Sequence, residues 1–269
     1  MAELRNISWS RLVKDLWKYK EPILKSRSLQ WWLTVGLRQQ GYILLDKEDC
    51  KPENDLVIEY RGVRFIPDKL NYPRMFEAWD RYRIDALQKS DRVLDLGANI
   101  GSYTIPAAQR VDQVVAVEPI FYEELEENLG LSSYNSIVET LENSVGSKEV
   151  DCQEYRRWAA RLDLEDIIED LKPTVVRMDI GGAESVLFPD MFGKPRIWEL
   201  EFHFPNKSLN LNMWFNWFKE KGYGWIARWS KSKHWLYISA DKDLKVQKIY
   251  HLKDGSFKGD SLKMWKGEL

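Results

Sequence analysis

Cysteine is nearly absent from this chain of 269 residues. Cys50 and Cys152 stand alone, without CxxC or zinc-like spacing, which excludes a disulfide scaffold and a structural zinc cluster and fits a reducing, cytoplasmic compartment. Histidine is as scarce: His203, His234 and His251 are the only candidates for imidazole chemistry. No sign of charge dominates, since 40 basic residues face 42 acidic ones. The broad basic field of a nucleic-acid binder is therefore missing, and a nucleic-acid acceptor is not the first expectation. No apolar run reaches the length of a membrane-spanning helix, and the opening MAELRNISWS has no apolar signal core, so a soluble protein is expected. Internal repeats and low-complexity tracts are lacking as well.

What is present is enough for a packed interior: 44% of the residues are hydrophobic. Residues 1–54 read as a helical extension, with amphipathic helices at 9–19 and 28–39 split at Glu21-Pro22. Eight basic side chains against three acids make residues 1–40 locally positive, either as a solvated face or as a polyanion contact. Residues 55–240 read as an α/β domain entered through a β-hairpin at 56–66 and a helix at 71–88. Residues 241–269 are polar, and extend a sheet edge or form a tail. Tryptophan is the compositional oddity, at 13 residues. Core filling and substrate stacking are both open readings, because the two look alike in sequence.

The chain is organised around residues 91–104, DRVLDLGANIGSYT, followed at 113–119 by QVVAVEP. Val93 to Leu96 suit a buried parallel strand, Gly97 closes it, and Ser102 is placed to cap a helix beginning at Tyr103. A glycine-rich turn before a helix presents backbone N–H groups at the sheet edge, where an anion or polar ligand can sit. Glu118 ends the next strand, at the position from which an acid holds the hydroxyls of a ribose. The third glycine of a dinucleotide fingerprint is missing, with Asn99 and Ser102 in the spacing, which argues against NAD.

Beyond that point strands and helices alternate. Strands are expected at 113–117, 137–142, 174–179 and 197–204, and a final antiparallel pair at 223–229 and 234–239. The fold class is thus α/β: a doubly wound, mostly parallel, seven-stranded sheet whose last strand is antiparallel. Asp179 falls at the carboxyl end of its strand, where open α/β sheets bind ligands. In the following strand, Trp198, Leu200 and Phe202 alternate with Glu199, Glu201 and His203. The polar set must be paired or lie at the mouth of a site. His203, at the end of a central strand, is the candidate proton acceptor, with Asp179 or Glu201 to orient it.

The spacing Asp95-x-Gly97-x-Asn99-x-Gly101 resembles motif I of class I S-adenosylmethionine-dependent methyltransferases. Together with Glu118-Pro119, Asn128-Leu129, Leu162-Asp163, RMDIGGAE at 177–184 and ELEFH at 199–203, it resembles the FkbM methyltransferases over residues 55 to 240. The resemblance implies S-adenosylmethionine as cofactor, held by Asp95, Gly97, Asn99, Gly101 and Glu118, with Glu142 and Asn143 near its adenine. It implies methyl transfer to a hydroxyl oxygen of a small molecule or glycan. Gly181 departs from the family, which carries a glutamate there. An RNA methyltransferase using the basic N-terminal helices, and a cofactor-binding module without catalysis, are the competing readings. No metal is expected, because carboxylates near a cofactor more often accept hydrogen bonds. A hard-cation site from Asp179, Glu184, Glu201 and His203 is the alternative.

Overall fold

The computed structural model describes residues 43–45, 57–60, 62–65, 81–145, 160–206, 208–230 and 234–251. The helices expected at 9–19 and 28–39, most of that at 71–88, the turn at 231–233 and both cysteines lie outside the described residues. The chain forms two compact units, residues 1–64 and 65–269. A small sheet has the order β1-β2-β3, with β1 at Ile43–Leu45, β2 at Val57–Tyr60 and β3 at Val63–Phe65. β2 and β3 are the expected hairpin, turned at Gly62 with φ of 80°. β1 lies antiparallel to β2 and has no clear signal in the sequence.

The second unit carries an eight-stranded sheet. Its strands are β4 (Arg92–Leu96), β5 (Gln113–Val117), β6 (Val138–Leu141), β9 (Val175–Met178), β10 (Ile197–His203), β11 (Gly224–Trp229), β12 (Trp235–Asp241) and β13 (Gln247–His251). Between β6 and β9 the chain adds a two-stranded parallel sheet of β7 (Asn143–Ser144) and β8 (Ala160–Arg161). Across the large sheet the order is β13-β11-β12-β10-β9-β4-β5-β6. Every pairing is parallel except those of β12, which runs against both β10 and β11. This is the α/β sheet the sequence predicts, with a correction in strand number. The eighth strand comes from the polar C-terminal stretch, where β13 pairs with β11 and so satisfies backbone groups that an open edge would leave bare.

Among the described residues four α-helices accompany these strands: α1 (Thr104–Ala108), α2 (Tyr122–Ser132), α3 (Leu164–Leu171) and α4 (Leu211–Glu220). One face of the sheet is apolar. Leu94, Leu96, Val176, Met178, Trp198, Leu200 and Phe202 pack there with Leu164 and Leu171 of α3 and with Trp214, Trp217 and Phe218 of α4. Trp198 meets the rings of Trp214 and Trp217 edge-on at 5.7 and 5.4 Å, an arrangement that suits the ring quadrupoles. These tryptophans are therefore core filling. The opposite face carries Asp95, Arg177, Glu199 and Glu201, all buried. The period-two alternation predicted for residues 197–204 is the source of both faces.

Chain order reverses between β4 and β9, because β4, β5 and β6 step towards one edge while β9 and β10 step towards the other. Such a switch point leaves a crevice at the carboxyl ends of the two central strands. Two expectations next to it need correction. Ser102 does not cap a helix: α1 begins at Thr104, its N-cap position is Tyr103, and no side chain caps it. The hydroxyl of Thr104 instead donates to Asp95 at 2.6 Å, tying the helix start to β4. Residues 82–88 are not α-helical either, but form a 3₁₀ turn at Ile84–Ala86. There the backbone N–H of Arg83 donates to the Glu199 carboxylate at 3.1 Å, a tertiary partner in place of a helical one.

Candidate active site

Three backbone positions with positive φ shape the turn after β4: Gly97 at 83°, Asn99 at 54° and Gly101 at 92°. Asn99 tolerates its conformation through its own side chain, whose Oδ1 accepts the N–H of Ile100 at 2.8 Å. Glycine at 97 has a second cause, since a Cβ there would stand 2.0 Å from the carbonyl oxygen of Asp179. The turn after β4 and the end of β9 are thus in backbone contact. Between them and the end of β5 opens a cavity of about 210 Å³.

Glu118 forms one wall of this cavity and is buried. Its carboxylate accepts three backbone N–H groups, from Asn99 at 2.7 Å, Ile120 at 2.7 Å and Phe121 at 3.0 Å. Burial raises its pKa, and the three N–H donors oppose that rise. Oε1 takes the Ile120 and Phe121 groups and Oε2 only that of Asn99, so the side chain is fixed in place while Oε2 keeps capacity to accept a ligand hydroxyl. Gly97, Asn99, Ile120, Phe121, Ser144 and Val145 line the same space. Glu142 is exposed and Asn143 opens β7; the wall near them is formed by Ser144 and Val145.

Asp95 and Gly101 stand behind this wall. Asp95 is fully buried between the Thr104 hydroxyl and the Arg177 guanidinium, the latter at 3.1 Å. Burial raises the pKa of Asp95, against the pull of Arg177 and Thr104. A Cβ on Gly101 would press on Ile105 and Leu125, so that glycine serves helix packing. Arg177 is the hub that sequence reasoning missed. It donates to Asp95, to the Gly97 carbonyl and to Asp179 Oδ2, the last at 2.7 Å. Burial works against its charge, but Tyr82, Asp95 and Asp179 more than offset this and hold the guanidinium ionised.

A second cavity of about 240 Å³ lies on the far side of Asn99, Asp179 and His203, three residues that it shares with the first. Its remaining walls include Arg81, Tyr82, Glu201, Trp235 and Tyr237. Trp235 is the cross-strand partner of His203 and stays 37% exposed, unlike the core tryptophans.

Where the cavities meet, His203 Nε2 stands 3.7 Å from Asp179 Oδ1 and 3.7 Å from Glu201 Oε1. The orienting partner is neither of these acids. His203 Nδ1 lies 3.0 Å from Glu184 Oε1, and the fully buried Glu184 is itself held by the N–H groups of Ile180 and Gly182. Burial works to lower the pKa of His203, and Glu184, Asp179 and Glu201 together outweigh it, leaving it raised. Glu201 is pushed up to about 8, by burial first and by Asp179 second. Glu199 is pushed up to about 7 by burial, although the Arg83 N–H and the Ser239 hydroxyl bind it. Asp179, Glu201 and His203 each offer one ligand atom, and these atoms lie within 4.8 Å of one another. Gly181 lines the first cavity with φ of 64°, so the place where the FkbM pattern has a glutamate is bare backbone.

No family model matches the chain, and no curated protein does. Among solved structures, it resembles precorrin-6y C5,15-methyltransferase from Geobacter metallireducens, at 15% identity and a TM-score of 0.39 over 58% of this chain and 84% of that one. The tRNA m1G37 methyltransferase of M. jannaschii matches at 13% identity and a TM-score of 0.45, over 71% of this chain and 56% of that one. M. jannaschii TYW2, solved in complex with AdoMet, matches at 16% and 0.42, over 69% of this chain and 84% of that one. At such identities and scores these proteins share an outline with the chain, whose fold is read from its own strand order.

Proposed function

We propose that this protein is an S-adenosylmethionine-dependent methyltransferase, FkbM-like, that methylates a hydroxyl oxygen of a small molecule or glycan. The observation that carries the reading is the meeting of two cavities at Asn99, Asp179 and His203, at the switch point of a methyltransferase-type sheet. In this reading the first cavity takes the cofactor and the second the acceptor. The first cavity has the features such a cofactor needs: a cramped glycine turn, and a buried carboxylate pinned by three N–H groups at the position for ribose hydroxyls. Gly97, Asn99 and Glu118 would hold it, with Ser144 and Val145 near the remainder.

When bound, S-adenosylmethionine supplies an electrophilic methyl: its S–C bond breaks with the electron pair kept by sulfur, an O–C bond forms on the acceptor, and the acceptor loses one proton. The protein's own share is to align the acceptor and remove that proton. Asp179 and His203, which line both cavities, and Glu201, which lines the second, are assigned to the second task. Incubation with isotopically labelled S-adenosylmethionine and cell extract, followed by mass spectrometry, tests the reading. A labelled hydroxyl-bearing product supports it. Label in RNA would replace the acceptor class, and absence of cofactor binding in a thermal-shift titration would remove the reading.

A further inference from the structure

At the seam between the cavities, three lone-pair-bearing atoms converge without bonding one another. Asp179 Oδ1 and Glu201 Oε1 each lie 3.7 Å from His203 Nε2, too far for a hydrogen bond. The other polar atom of each side chain is already held from behind. Asp179 Oδ2 takes the Arg177 guanidinium at 2.7 Å, Glu201 Oε2 faces the Tyr82 hydroxyl at 3.4 Å and Arg81 at 3.5 Å, and His203 Nδ1 faces Glu184 at 3.0 Å. The Glu184 carboxylate accepts from Nδ1, so in the neutral imidazole Nδ1 carries the hydrogen and Nε2 turns a lone pair on two carboxylate oxygens. Glu201 is 4% exposed, and its Oε1 accepts no hydrogen bond among the described residues. Charge points the same way. With the carboxylates ionised and the imidazole neutral, the state that a bound cation requires, Asp95, Asp179, Glu184 and Glu201 face the guanidiniums of Arg81 and Arg177 with a formal excess of two negative charges.

We propose that Asp179, Glu201 and His203 form a divalent-cation site that opens into the second cavity. Ligands about 2.0–2.2 Å from an ion stand about 3 Å apart at right angles and about 3.5 Å apart in a tetrahedron. The observed 3.7 Å separations close onto an ion with small side-chain shifts. A carboxylate behind the imidazole, like Glu184 here, is the outer partner that fixes a metal-binding histidine in the right tautomer. One nitrogen and two oxygens suit an ion such as Mn²⁺, with coordination positions left open towards the cavity. The ion's catalytic part rests on the methyl-transfer reading; its binding does not. With the ion bound, the three side chains would act on the acceptor proton through it and not as the base: a hydroxyl on an open position would be acidified, lose its proton to cavity water, and the oxygen would then take the methyl.

The test is a Mn²⁺ titration of the chelator-treated full chain, followed by the paramagnetic resonance signal of free ion, with S-adenosylhomocysteine binding measured on the same samples. One saturable Mn²⁺ per chain is expected, lost in Asp179→Asn and His203→Ala and kept in Glu220→Gln, which removes an exposed surface acid. Glu184→Gln should weaken it by about 10- to 100-fold. Wild-type protein without saturable binding, or Asp179→Asn binding as well as wild type, would overturn the site. Intact Mn²⁺ binding with no S-adenosylhomocysteine binding would remove the methyl-transfer reading and leave the cation site standing.

Discussion

Glu184 Oε1 stands 3.0 Å from Nδ1 of His203, and the same oxygen accepts the backbone N–H groups of Ile180 at 3.2 Å and Gly182 at 3.1 Å. The glycine turn after β9 is thereby tied to the end of β10, and one imidazole tautomer is selected. Long-range proton–nitrogen correlation spectra should show the His203 hydrogen on Nδ1 in the wild type. Glu184→Ala should lose that preference. A wild-type spectrum with the hydrogen on Nε2 alone would contradict the pairing.

Gly97 offers a separation of two causes of strain. Gly97 and Gly222 have similar φ values, 83° and 78°, but a Cβ on Gly97 meets the Asp179 carbonyl oxygen at 2.0 Å and one on Gly222 meets nothing within 4 Å. Gly222→Ala should cost about 1–2 kcal/mol, the backbone penalty alone. Gly97→Ala should cost more than about 3 kcal/mol, because the backbone of β9 must move as well. Urea unfolding of both variants gives the comparison, and equal losses would refute the close approach.

The turn, Glu118 and the two faces of β10 were legible in the sequence because each follows from local rules: glycine spacing, strand ends and period-two alternation. The partners of His203 were not. Glu184 reaches it from a 3₁₀ turn, and nothing in the spacing distinguishes Glu184 from Asp179 or Glu201 as the closer acid. Arg177 reads as an ordinary strand residue until β4 places Asp95 beside it. β13 sits in a lysine-rich stretch whose strand character comes from an available edge, a tertiary cause that local propensity does not carry.

Glu118 gives a pH dependence with a definite sign. Its pKa in the ligand-free protein is raised by burial, so its contribution to stability is present at low pH and is lost as pH rises past the usual glutamate value. Cofactor hydroxyls that donate to the ionised form would draw that pKa down. Affinity for S-adenosylhomocysteine should therefore climb as pH rises through the pKa of Glu118 and then level off. Glu118→Gln should weaken binding by about 1–3 kcal/mol and flatten the climb. Calorimetric titration across pH checks both, and a pH-independent wild type would exclude Glu118 as the ribose acceptor.

Trp235 offers a test of which cavity takes the acceptor in the proposed reading. It is paired in register with His203, lines the second cavity but not the first, and keeps 37% of its surface exposed, whereas Trp198 and Trp214 are fully buried. If the second cavity takes the acceptor, as proposed, an aromatic face at its rim beside His203 would stack a ring of that acceptor. With an acceptor in hand, Trp235→Ala should raise its KM roughly two- to tenfold, the range of a single aromatic contact. Both kcat and S-adenosylhomocysteine affinity should stay near wild type, since neither the first cavity nor the Asp179, Glu201 and His203 group uses the indole. A fall in S-adenosylhomocysteine affinity instead would mean that the two cavities are assigned the wrong way round.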